Sequence, residues 1–218
     1  MELTETFETS GERFGFSDVT AVFEPYKNFS VKWSRTQKRA DFQVTDYMMA
    51  APFEAVWGMA DAIFAKIRGE DAEYPQAMRD WLESRDFLRI NRPVYIGRCD
   101  GISKGSRGEN VDLAESYARL VDDGLVEENP DIELRWVGIR GSKVSETSVL
   151  MKTVQINRRL DIEDISETTI DCVLLKQLRE IELGILKGYP RESPVPLAKE
   201  FIMEETASKE LNRMRLKF

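Results

Sequence analysis

The chain has 218 residues, 42% of them hydrophobic and 10% aromatic, which is enough apolar mass for a packed core and argues against global disorder. A balance of 31 basic against 39 acidic side chains leaves a net charge of −8, unlike that of a general polyanion binder. Histidine is absent, which excludes Ser-His-Asp and Cys-His catalysis and every histidine-ligated metal site.

Residues 1–16 are polar and acidic, carry Gly11 and Gly15, and read as a frayed tail rather than a signal peptide. Short β-type runs follow at 19–23, 29–33 and 42–44, separated by Glu24-Pro25 and Lys27-Asn28. Pro52 then opens a helix over 53–67, where Val56, Met59, Ala60, Ile63, Phe64 and Ile67 recur at helical spacing before Gly69. A short helix is predicted over 75–82, with Met78 and Trp81, and a strand over 93–96. Residues 99–110 form a glycine-rich polar loop, and 113–120 a helix stopped by Asp122-Asp123-Gly124. Strands over 133–137 and 151–156, joined by the polar stretch 138–147, lead to a helix over 166–183. Residues 190–218 carry Pro190, Pro194 and Pro196 and then one short helix. No internal repeat is evident, so residues 17–218 are expected to form a single α+β domain.

Cys99 and Cys172 are far apart and form no CxxC, so reduced thiols are expected rather than a disulfide or thiolate metal site. No segment approaches the ~18 apolar residues of a membrane span. The chain is therefore expected to be soluble and cytoplasmic, with no membrane partner.

Residues 132–185 carry the most specific pattern. A strand with Arg135-Trp136 precedes a polar turn, a strand ending in Ile156-Asn157, then Leu160-Asp161, an acidic linker and an amphipathic helix. This order resembles the SprT-like/YgjP-like zinc metallopeptidases, particularly archaeal members, with residues 131–205 as the best-supported core. The resemblance implies a zincin-like α+β fold: a mixed or antiparallel sheet packed on the former active-site helix, with additional helices. In that family HExxH stands on the helix. Here Val173-Leu174-Leu175 is followed by Lys176 and Glu180 at the two histidine positions and by Gln177 at the general-base position. Phe201 matches a downstream phenylalanine, which makes Leu197 the third-ligand position. The resemblance thus implies a pseudo-peptidase with no catalytic residue, metal or cofactor, retained as a binding or scaffolding module for an unknown protein partner.

On the helix itself Ile170, Leu174, Leu178, Ile181 and Ile185 form one stripe, with Lys176 and Glu180 opposite. That second side is either an inherited cleft or an ordinary solvated face with an i,i+4 ion pair.

Three other clusters stand out. Lys27, Lys32, Arg35, Lys38 and Arg39 are interleaved with Tyr26, Phe29 and Trp33 and include no acid. They are candidates for contact with a polyanion, an acidic protein, or a nucleic acid or ribonucleoprotein. Val31 and Trp33 fall on one strand face, where core packing is the plainer expectation. Arg89, Arg92, Arg98, Lys104 and Arg107 run through the glycine loop. Its Gly101, Gly105 and Gly108 match no P-loop, so a solvated loop is expected, with weak phosphate capture by backbone amides as the alternative. Finally, Asp161, Glu163 and Asp164 lack calcium-loop spacing and are expected to favour the N-terminal dipole of the following helix.

Overall fold

In the N-terminal part, α1 (Leu3–Arg13) precedes strands β1 (Asp18–Glu24), β2 (Val31–Arg35) and β3 (Arg39–Thr45). A 3-10 turn, Asp46–Met48, then leads to α2 (Phe53–Ile67), α3 (Gln76–Glu83) and α4 (Arg85–Arg98). The computed structural model describes residues 2–99, 105–184 and 198–217. They fall into two compact units, Met1–Arg98 and Cys99–Phe218, where the sequence led us to expect one domain over 17–218.

Strict alternation organises the first sheet. Ala40, Phe42 and Val44 of β3 are buried while Arg39 and Gln43 are exposed. The strand order is β1-β3-β2, with β1 parallel and β2 antiparallel to β3. Helices α1 and α2 cover the apolar face, where the Phe42 ring lies 4.8 Å from that of Phe7 and 5.1 Å from that of Phe64.

The 1–16 tail is corrected by α1. Phe7 is fully buried, and burying such a ring contributes about 2–3 kcal/mol, enough to dock an otherwise polar helix. Gly11 is a packing residue: a Cβ there would lie 2.8 Å from Val19 Cγ2 and 3.0 Å from Phe64 Cζ. The strand expected at 93–96 is the end of α4. Its buried Phe87, Leu88, Asn91 and Tyr95 recur at helical spacing and outweigh Pro93 in the helix interior.

In the second unit α5 (Leu113–Asp122) precedes β4 (Glu133–Val137), β5 (Ser145–Ser148) and β6 (Thr153–Asn157). A 3-10 turn, Arg158–Leu160, then leads to α6 (Glu167–Leu183) and α7 (Ala198–Arg213). The order is β4-β6-β5, with β4 parallel and β5 antiparallel to β6. Every residue of β6 is buried, and Trp136, Val154, Ile156, Ile170, Val173 and Leu174 sit in the core.

The two units are therefore built alike, an internal repeat that the sequence conceals. Each reads helix, three strands, 3-10 turn, helix, with the same strand order and the same sense of pairing. Register equates Phe42-Gln43-Val44-Thr45 with Val154-Gln155-Ile156-Asn157. Thr45 and Asn157 cap the following turns, their side-chain oxygens accepting from the backbone N–H of Tyr47 and Arg159. Counting from the helix N-caps, Pro52 and Ser166, matches buried Val56, Met59, Ala60 and Phe64 to buried Ile170, Val173, Leu174 and Leu178. No helix among the described residues is long and apolar enough to cross a membrane.

Candidate functional site

Helix α6 carries the positions singled out by the family resemblance. Its start is set by Ser166, whose hydroxyl accepts from Thr169 N–H at 3.2 Å, a normal N-cap. Burial extends round more of the helix than one stripe. Cys172 and Leu175 are buried beside Ile170, Val173, Leu174, Leu178 and Ile181, and α7 packs against α6 with Met203, Ala207 and Leu211 buried.

Two ion pairs to α7 and one within α6 stand in place of the expected i,i+4 pair. Lys176 Nζ lies 2.6 Å from Glu204 of α7, and Arg179 lies 2.8 Å from Glu182 and 3.0 Å from Glu200. Glu180 is exposed. The Gln177 side-chain oxygen accepts from the Thr147 hydroxyl of β5 at 2.7 Å, tying the helix to the strand beside it. Leu197 and Ile185 lie outside the described residues. Lys176, Gln177 and Glu180 thus share a helix but point to three different surroundings: α7, β5 and solvent.

Electrostatics fits this arrangement. Burial pushes the Cys172 thiol up to about 11, with the nearby Lys176 opposing, so a thiolate nucleophile is disfavoured there. Burial pulls Arg179 down, but its hydrogen bonds to Glu182 and Glu200 outweigh that and hold it above its ordinary value. Gln177 takes up no proton at neutral pH. Among the described residues no group of three His, Cys, Asp or Glu side chains is placed to hold a metal ion. The equivalent positions of α2, by the N-cap register, are Ala62, Ile63 and Lys66.

The basic cluster of the first unit is divided between two faces. Alternation puts Trp33 and Arg35 on the side of Phe42, and Lys32 on the opposite side with Gln43 and Asp41. Trp33 is not in the core: it is 53% exposed, because β2 is an edge strand reaching beyond the covering helices. On the open face Lys32 Nζ sits 4.5 Å over the Tyr26 ring. Arg39 pairs with Asp41 at 2.9 Å and with Asp18 at 3.8 Å, which raises the guanidinium and lowers the Asp41 carboxyl. The Lys27 carbonyl accepts from Tyr47 OH at 2.9 Å, and Lys38 is exposed in the β2–β3 turn.

The second basic cluster is dispersed too. Arg98 pairs with Asp46 and donates to the Tyr26 carbonyl, and Arg89 pairs with Asp86 at 3.0 Å. Lys104 and Gly101 lie outside the described residues.

Asp161 corrects the reading of both the loop and the acidic linker. Its carboxylate accepts from the backbone N–H groups of Glu109 (2.7 Å), Asn110 (2.8 Å) and Val111 (3.1 Å). A Cβ on Gly108 would meet both carboxylate oxygens at 2.5 Å. These loop amides do form an anion nest, and the chain's own aspartate fills it, some fifty residues away in sequence.

Sequence reasoning missed one concave feature. A groove of about 870 Å³ opens beside the C-terminal half of α6, with Leu125, Val126, Ile132, Leu178 and Ile181 as its apolar floor and charged Lys152, Arg179 and Glu182 at its edges. Its residues come from four separate stretches, so only the fold assembles it. No protein-family model matches the chain, and neither does any curated protein or solved structure.

Proposed function

We propose that the chain is a non-catalytic binding or scaffolding module: a metallopeptidase-like protein of SprT/YgjP type whose second unit keeps a zincin-like sheet and helix without the metal chemistry. The observation that carries this reading is the use made of the former site positions. Lys176 is engaged by Glu204 and Gln177 by Thr147, which leaves Glu180 as the one carboxylate at the histidine positions. Catalytic zinc takes three protein ligands and an open position for water, so one carboxylate does not hold it. The first unit repeats the helix with Ala62, Ile63 and Lys66 at the matching places, which also offer no ligand. A nucleic-acid role for residues 27–39 draws less support, because Arg39 is ion-paired and Trp33 and Lys32 leave opposite faces.

The test is elemental analysis of protein purified without chelators, together with a casein hydrolysis assay. The expected outcome is zinc well below one per chain and no hydrolysis. Zinc at unit occupancy that Glu180→Ala removes would overturn the reading.

A further inference from the structure

We propose that the outer edge of β2 in the first unit is a docking strand for an extended acidic peptide segment, which adds to the sheet by backbone pairing and lays an apolar side chain on Trp33. This goes beyond the α6 reading and does not depend on it.

The first observation is the free edge. Thr45 N–H donates to Ser30 C=O at 3.0 Å and Thr36 N–H to Arg39 C=O at 2.8 Å. Between them, antiparallel alternation turns the backbone groups of Lys32 and Ser34 toward β3 and those of Val31, Trp33 and Arg35 outward. Every residue from 32 to 39 is exposed, and among the described residues no strand or bridge pairs with this edge.

The second observation comes from the repeat. Immediately ahead of β5, the counterpart of β2, the chain pairs with its own C-terminal end. Lys143 and Lys217 form a parallel bridge, with Lys217 N–H donating to Ser142 C=O at 2.7 Å and Val144 N–H to Lys217 C=O at 3.1 Å. By register, 142–144 correspond to 28–30, so this module already accepts an extended segment at the start of its second strand in one copy, whereas among the described residues no bridge forms there in the other.

Charge selects the occupant. Lys32, Arg35 and Lys38 lie along the edge and its turn, on a chain whose net charge is −8. Two β2 edges brought together would oppose like charges, which is unfavourable for a second copy. An added strand projects alternate side chains to both faces of the sheet, so acids can meet Lys32 on one side while an apolar residue covers Trp33 on the other. Nucleic acid would need several basic groups beside aromatic rings on one surface, whereas Arg35 is the one β2 cation on the Trp33 face and Arg39 on the other face is paired with Asp41 and Asp18.

The experiment titrates the full chain against a fluorescein-labelled peptide alternating glutamate with valine and leucine. A lysine-for-glutamate peptide and a single-stranded oligonucleotide serve as comparisons. The acidic peptide alone should bind, and Trp33→Ala and the Lys32→Glu/Lys38→Glu double variant should each weaken it by about tenfold or more. Amide exchange adds a signature independent of any variant's folding. On binding, the outward amides of Val31, Trp33 and Arg35 should slow, while those of Lys32 and Ser34, already bonded to β3, should not change. No binding of the acidic peptide at millimolar concentration, binding unaffected by both variants, or oligonucleotide binding lost in the same variants would overturn the proposal. Self-association abolished by Trp33→Ala would overturn it too, in favour of a second copy.

Discussion

Asp161→Ala isolates the contact that holds the 105–111 loop to the end of the Arg158–Leu160 turn within the second unit. The carboxylate accepts three backbone N–H bonds, two on Oδ1 from Asn110 and Val111 and one on Oδ2 from Glu109. Hydrogen bonds to a charged acceptor contribute ~1.5–3 kcal/mol when enclosed. This site is only partly buried and water can replace the carboxylate, so ~1 kcal/mol per bond is the better figure, a total of about 2–3 kcal/mol. Asp161→Asn should cost about 1–2 kcal/mol, because the retained oxygen can still serve Asn110 and Val111 while the new amide opposes the Glu109 N–H. Gly108→Ala should resemble Asp161→Ala, since its Cβ takes the place of the carboxylate. Urea unfolding followed by the 19F signal of 5-fluorotryptophan at Trp136 is the appropriate readout: this residue is fully buried in the second unit and its indole N–H donates to Val111 C=O at 3.3 Å. Phosphate should partly restore Asp161→Ala by entering the vacated nest, whereas chloride at equal ionic strength should not. Asp161→Ala and Gly108→Ala both within ~0.5 kcal/mol of the parent would refute the reasoning, since surface changes that touch nothing fall in that range.

Cys172 should resist thiol reagents at pH 8 and label only at the rate of unfolding, while the half-buried Cys99 labels first; mass mapping of the labelled peptides decides. Because burial holds the Cys172 thiol at about 11, above its unfolded value of 9.0, the folded chain keeps a proton that the unfolded chain releases, and stability should decline as pH rises from 9 to 11. Gly11→Ala sets a helix-propensity gain of up to ~1 kcal/mol against overpacking of ~1–3 kcal/mol on buried Val19 and Phe64, so a net loss of about 1 kcal/mol is expected; stabilisation in a urea titration would mean that α1 is not docked there. Glu204→Gln removes a half-exposed partner of Lys176 and should cost no more than ~1 kcal/mol, with salt reducing the difference, as read by thermal unfolding.

Elements with a wide apolar stripe were legible in the sequence. Val56, Met59, Ala60 and Ile63 announce α2, and Ile170, Leu174 and Leu178 announce α6. Elements held by one large side chain or by pairing alone were not. α1 docks through Phe7, with only the small Thr6, Ser10 and Gly11 buried beside it, and β5, Ser-Glu-Thr-Ser, has no apolar alternation because β6 and α6 supply its environment. The repeat escaped for a related reason. Its copies share burial, turn capping and strand sense, while side chains at matching positions, such as Trp33 and Thr147, differ in kind. At the candidate site, the identities of Lys176, Gln177 and Glu180 were readable. Their partners Glu204 and Thr147 lie 28 and 30 residues away, and only the packing of α7 and β5 on α6 brings them close.

The charges along β2 meet two demands at once, and ionic strength separates them. An unpaired strand edge invites a second copy, and lysines or arginines along it are a common protection because two such edges repel. The same residues attract an acidic strand. If Lys32, Arg35 and Lys38 only protect, screening them should let edges meet: sedimentation should show self-association rising from 50 to 500 mM salt, with no acidic peptide bound at the low end. If they also recognise, peptide affinity should be greatest at 50 mM and fall as the screening length shortens from about 14 to about 4 Å. Exposed Trp33 favours the second outcome, since a purely protective edge gains nothing from a half-exposed indole beside outward-facing backbone groups, whereas a docking edge gains its apolar anchor. Peptide affinity that is flat across this range would remove charge as the selecting term.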